Sequence, residues 1–225
     1  MSTPPVSRFL RVLVLYFAAA LLPAFGSADP RPDIVWIVIE DMSAHWRCYG
    51  ETLVETPHLD ALASEGVRFD RAIMTAPVCS AARSALITGM YQTSIGAHHH
   101  RSGRGELKIH LPDPVRPVPE LFRAAGYTSL NQHYRGLHGE QIGVGKTDYN
   151  FETDPSLYDG FDLKTVPSDQ PIFMQFQLAG GKYRGKNPGW TDKNRDRLEK
   201  ILPRIVEADE VVLPPYYPDH PDIRD

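Results

Sequence analysis

The sequence is poor in cysteine: Cys48 and Cys79 are the two it has in 225 residues. In an oxidising compartment the default is a disulfide between them. The competing reading is that Cys79 is consumed by chemistry and Cys48 is a small buried thiol, and spacing alone leaves both open. No charge of one sign dominates. A formal charge of -4 and a pI near 6.1 give no electrostatic reason to expect nucleic acid as a partner. Long hydrophobic runs are lacking too. The apolar stretch at residues 12–22 falls short of the ~20 residues that span a bilayer, so no stable membrane anchor is expected. There is no internal repeat and no clear interdomain linker.

What is present reads as globular. Hydrophobic residues make up 42% of the chain and aromatics 10%, enough for one sizeable domain. The 20 prolines crowd into residues 111–119 and 213–221, which read as extended surface connections. Arg8 and Arg11 precede the apolar run, and Gly26-Ser27-Ala28 follows it. This is the layout of a secretory signal peptide over residues 1–28, cleaved near Ala28, with export to the periplasm or the exterior.

Residues 33–39 form a continuous β-branched and aromatic run, the pattern of a central parallel strand buried on both faces. It ends in Glu40-Asp41. In open α/β sheets ligands bind beyond the carboxyl ends of strands, so two acids there are well placed for a hard divalent cation or for a solvated turn. Thr56-Pro57 reads as an N-cap with proline at the first helical position, and Gly66 as the stop. Residues 67–69 suit a short strand. Helices are predicted from about Ser80 to Thr88, from about Pro119 to Gly126, and over residues 193–206. Strands are predicted over residues 127–130 and 172–178, and nothing regular is expected after the extended segment that begins near Val211. The alternation argues for an α/β fold with a mainly parallel sheet flanked by helices.

The segment Cys79-Ser80-Ala81-Ala82-Arg83 carries a more specific signal. A cysteine at a helix start meets unpaired backbone N–H groups that favour an anion, and Arg83 lies one turn on, on the same side. It could steady a cysteine-derived group or a bound oxyanion, or pair with an acid beside an inert thiol.

With the continuation Ser84-Ala85-Leu86-Ile87-Thr88-Gly89, this stretch resembles the sulfatase signature. Residues 32–41 resemble that family's first strand with its metal-binding acidic pair, and residues 56–69 the segment between the two. Order and spacing match over about residues 32–96, and more loosely beyond. The resemblance implies an alkaline-phosphatase-like fold, here an N-terminal portion over residues 32–225 truncated at the C-terminus. It implies a sulfuric ester hydrolase acting on a sulfated carbohydrate or aryl ester. Cys79 would be oxidised to formylglycine by a maturation enzyme, and its hydrated aldehyde would attack sulfur. Glu40, Asp41 and the residue at position 79 would bind a divalent cation, Ca²⁺ in first place and Mg²⁺ in second. Arg83 would stabilise the formylglycine.

Gly145-Lys146 resembles the second signature, with Lys146 a cation for a sulfate oxygen and Asp148 standing where a histidine is usual. Residues 131–144 read as a polar insertion. His98, His100 and Lys182 are the candidate substrate contacts, with solvated loops as the alternative. The family normally takes further ligands from well downstream, and no strand-end acidic pair follows Leu178. A non-catalytic binder of sulfate or sulfated glycan, or a phosphatase or phosphonate hydrolase on the same fold, therefore stands as the alternative.

Overall fold

The computed structural model describes residues 31–135, 140–178, 199–200, 202 and 204–224. The leader at residues 1–28 and Lys182 lie outside them. In chain order the regular elements are β1 (Ile34–Ile39), α1 (Pro57–Glu65), α2 (Cys79–Thr88), α3 (Val118–Ala124), β2 (Thr128–Arg135), β3 (Glu140–Val144), β4 (Ile172–Leu178) and α4 (Pro221–Arg224). The four strands form one sheet in the order β1-β4-β2-β3. β4 runs parallel to both β1 and β2, and β3 is antiparallel to β2. The α/β fold with a mostly parallel sheet is therefore as the alternation of elements predicts.

The register assigns side chains to two faces. Trp36 lies beside Gln175, Val38 beside Gln177, Ser129 beside Phe173 and Asn131 beside Gln175, so these share one face. That face is closed by helices and loops. Phe122 of α3 stacks on Phe173 with ring centroids 4.5 Å apart, and Trp36 meets the same ring edge-on. Beside them Ile87 of α2 joins Ile95, Ala97, Ile109, Tyr149, Phe151 and Leu157 in the main core cluster. Each large apolar side chain so buried contributes roughly 1.5–3 kcal/mol. The other face carries Leu130, Ile172 and Met174, packed on Val166 and Phe176.

Several expectations are corrected. β1 is an edge strand among the described residues, not a central one. Its side chains alternate in burial, with Val35 47% and Ile37 59% exposed. A continuous apolar run cannot distinguish an edge from a centre, because both read alike in sequence. Residues 67–69 form no strand, and Val67 and Phe69 are exposed. Within the polar stretch 131–144, β2 runs on through Arg135, and β3 returns beside it. Asn131 is accepted in the interior because it pairs with the Gln177 amide, and Gln132 accepts from the Tyr134 hydroxyl. In residues 193–206, the described Glu199, Lys200, Leu202 and 204–206 are turn or extended, not helix. Near the end, Pro221–Arg224 makes a helical turn where none was expected; Arg224 donates to the Ala208 and Val211 carbonyls. Cys48 and Cys79 form no disulfide.

Helix α2 begins and ends as its sequence predicts. Val78 enters in extended conformation, and Gly89 leaves at φ 65°, a left-handed turn that favours glycine. At α1 the predicted capping residue Thr56 does not cap the helix with its side chain. Its hydroxyl instead accepts from the Arg47 N–H at 3.0 Å and donates to Asp60 at 3.2 Å.

Candidate active site

At the carboxyl end of β1 the ladder continues one step, with the Glu40 N–H donating to the Leu178 carbonyl at 3.0 Å. Asp41 then turns at φ 51°, a left-handed conformation that aspartate tolerates better than most residues. Both acids border a cavity of about 620 Å³, together with Cys79, Arg83, His100 and Arg101. The acidic pair and the cysteine motif, 38 positions apart in sequence by residue number, thus share one space. Cys48 lines a separate cavity with Asp60 and Arg68, which removes it as a partner for Cys79.

Arg83 organises the floor. It is 9% exposed, and its guanidinium is used on three sides. Nη2 donates to Glu40 Oε1, Nη1 to Gln177 Oε1 at 2.9 Å, and Nε lies 3.5 Å from Asp148 Oδ1. Lys146 completes the group, with Nζ 3.1 Å from Glu40 Oε1 and 3.5 Å from Asp148 Oδ2. Two cations and two carboxylates therefore interlock. A buried charge so paired is costly to orphan, and losing one member of such a pair costs about 3–5 kcal/mol.

Gln177 on β4 is the residue that sequence reasoning missed. Its Oε1 accepts from both Arg83 and the Lys146 N–H, while Nε2 donates to Asn131 Oδ1 and the Lys146 carbonyl. One buried amide thus fixes the backbone of Lys146 and one arm of Arg83. The only available sequence signal was two glutamines, Gln175 and Gln177, in a run otherwise apolar. Gly145 is required here by close approach. A Cβ on it would lie 2.0 Å from Asn131 Oδ1.

The histidine loop is tied to the same helix. The hydroxyl of buried Ser80 lies 3.1 Å from His100 Nδ1 and accepts from the Arg101 N–H at 2.8 Å. Asn150 donates to the carbonyls of Ala97 and His99, and its own N–H donates to Ser84 of α2. His100 is thereby brought to the cavity wall. His98 is exposed and lies against the His99 ring, away from that wall. Behind the site the hydroxyls of Tyr149 and Tyr158 lie 2.8 Å apart. Burial pushes Tyr149 up to about 12, partly offset by the Tyr158 hydrogen bond, and burial drives Tyr158 up as well. Both phenols stay protonated and act as packing.

This chain belongs to the sulfatase family. The family profile, described as Sulfatase, matches residues 32–202. An ulvan-active sulfatase of Formosa agariphila is 31% identical, in an alignment covering 84% of this chain and 36% of that protein. The N-acetylgalactosamine-6-sulfatase of Sus scrofa is 36% identical over 76% of this chain and 34% of its own length. The chain thus spans about a third of the length of the curated relatives it matches. A solved chain in complex with its substrate D-glucosamine-2-N,6-O-disulfate aligns over 80% of this chain and 40% of its own, at 17% identity and a TM-score of 0.47.

The family implies a formylglycine and a metal ion. Cys79 suits the first: it borders the cavity, opens the first turn of α2, and forms no disulfide. The fit to a metal is incomplete. Glu40 and Asp41 are oxygen donors of the right kind, but Glu40 is engaged by Arg83 and Lys146. Among the described residues no three His, Cys, Asp or Glu side chains converge on a point that could hold an ion. These residues alone do not build a cation cage.

Proposed function

We propose that this chain forms the nucleophile-bearing part of a sulfuric ester hydrolase for sulfated carbohydrates. The observation that carries the reading is the shared cavity: Cys79 at the start of α2, with Arg83 locked one turn on by Glu40 and Gln177. A formylglycine at position 79 would supply a hydrated-aldehyde hydroxyl as the nucleophile towards sulfur. The chain's own residues do the rest of the positioning. The start of α2 at Cys79 borders the cavity, and a helix N-terminus there favours an anion. Arg83 and Lys146 supply positive charge held in place before any ligand arrives, so little reorganisation is needed as charge develops. His100, steadied by Ser80, stands at the rim, where a sugar hydroxyl or the leaving oxygen would pass.

Glu40 and Asp41 would be this chain's carboxylate contribution to a divalent cation, Ca²⁺ or Mg²⁺, both of which take oxygen ligands. No step is derived through that ion. The names of the relatives support a carbohydrate sulfate as substrate, ulvan in one case and an N-acetylgalactosamine 6-sulfate in another. Export also belongs to the proposal, with residues 1–28 as the leader. Among the described residues no helix is long and apolar enough to cross a membrane.

Two measurements on protein from a host with the maturation enzyme test the reading. Mass spectrometry of the tryptic peptide holding Cys79 should show the mass loss of formylglycine, and ulvan or N-acetylgalactosamine 6-sulfate should release sulfate. An intact thiol in that host would remove the nucleophile and with it the hydrolase reading.

A further inference from the structure

Behind the cavity stands a carboxylate that the proposed chemistry does not use. The Asp148 side chain is 5% exposed, with one oxygen 3.5 Å from Arg83 Nε and the other 3.5 Å from Lys146 Nζ. By the resemblance, Asp148 stands where a histidine is usual. An acid lying against the two cations offered to an anion competes with that anion for their charge. Among the described residues, the cavity and the group behind it set Arg83, Lys146 and Arg101 against Glu40, Asp41 and Asp148. Three cations meet three carboxylates.

We infer that Asp148 is a specificity-determining residue that tunes this cavity to a singly charged tetrahedral ester and against a doubly charged one. The inference rests on the sulfate-ester reading and deepens it. Sulfate and phosphate monoesters have nearly the same shape, so shape cannot separate them. Charge can. A sulfate monoester carries one negative charge, while a phosphate monoester carries close to two above its second pKa of about 6. Energy with a fixed charge scales with the charge of the ligand, so the carboxylates cancel the doubled pull of the cations on a dianion and leave its larger cost of leaving water uncompensated. The backbone on both sides of Asp148 is held in place. Gln177 pins the backbone at Lys146, and the Asn150 N–H is held by Ser84, one position either side of the Asp148 neighbours.

The test is calorimetric binding of methyl sulfate and methyl phosphate to the purified chain, at about pH 5.5 and about pH 8, either side of the phosphate ester's second ionisation. For the natural sequence, affinity for methyl phosphate should fall on the order of tenfold at the higher pH relative to methyl sulfate. A parallel pH series on His100→Gln removes the histidine that borders the cavity, so that the comparison reports the ionisation of the ligand. Asp148→Asn keeps the shape and removes the charge. It should raise the affinity for methyl phosphate over methyl sulfate at the higher pH by on the order of tenfold. Glu120→Gln, on α3 and paired with Arg116, should leave the ratio as it was. An unchanged ratio in Asp148→Asn, or a natural chain that prefers methyl phosphate at the higher pH, overturns the inference. If Asp148→Asn does not fold, Asp148→Ser, read by the same ratio, decides in its place. Binding of both anions without preference defeats only this inference. Binding of neither defeats the sulfate-ester reading and takes this one with it.

Discussion

Although Leu130, Ile172 and Met174 are buried on one face and Phe173 on the other, parts of the two faces reverse the usual order of burial. On the face that carries the site, Asn131, Gln175 and Gln177 are buried, polar and bonded to one another or to Arg83 and Lys146. On the opposite face, Ile37 and Val35 are apolar and exposed, and a shallow cavity lies between Ile37, Tyr134, Phe176 and Leu178. Stability alone would bury the second set first, since apolar area gains by leaving water and amides gain little. The site face therefore shows what the chain invests in: a rigid, solvent-poor setting for a few charges. Its amides act as fixed links between strand β4 and the loop that delivers Lys146.

The contrast can be broken from the site side first. Arg83→Met leaves Glu40, Asp148 and Gln177 without their shared donor, and should lower unfolding free energy by about 3–5 kcal/mol in urea denaturation. Gly145→Ala is the next largest. Its Cβ would meet Asn131 Oδ1 at 2.0 Å, and the forced shift should cost about 1–3 kcal/mol by the same measurement. It should also weaken anion binding, because Lys146 moves with Gly145.

The buried tyrosine pair sharpens the contrast through pH. Tyr149 holds its proton up to about 12 in the folded chain against 10.0 in the unfolded one. A raised pKa of this kind stabilises fully below the unfolded value and is lost as pH climbs through the folded one. Stability should therefore decline between pH 10 and about 12. Ultraviolet titration should show Tyr149 and Tyr158 ionising after the exposed tyrosines, and a Tyr158→Phe variant should remove one late step. On the open face, Ile37→Thr should change stability by no more than about 0.5 kcal/mol. A loss several times larger would show that this face is covered in solution.

Much of the layout was legible in the sequence. The run into Glu40-Asp41, the helix from Cys79 to Gly89 and the placement of Arg83 one turn after Cys79 each follow from local rules. A β-branched run, a left-handed glycine stop and helical spacing act over a few residues. Partnerships across the fold were not legible. Gln177 meets Arg83 from 94 residues away, and nothing in the composition of β4 marks that amide as a brace. The polar string from Asn131 was read as an insertion because it is long and polar, and only the partners of Asn131 and Gln132 reveal why a strand holds them. The role of Asp148 was equally hidden, since its meaning lies in the two cations against it. Conversely, β1 read as central because apolar runs record a preference for burial and not its fulfilment.

The turn at Asp41 carries a cost of its own. A non-glycine residue at φ 51° gives up of order 1 kcal/mol or more of backbone ease. Glycine would settle there without complaint. A sequence shaped for durability alone would have placed one, relaxed the bend and left the cavity one negative charge poorer. The chain keeps the less comfortable residue at the very point where β1 opens onto the cavity. In that single bend, backbone ease is given up and a second acid stands beside the first.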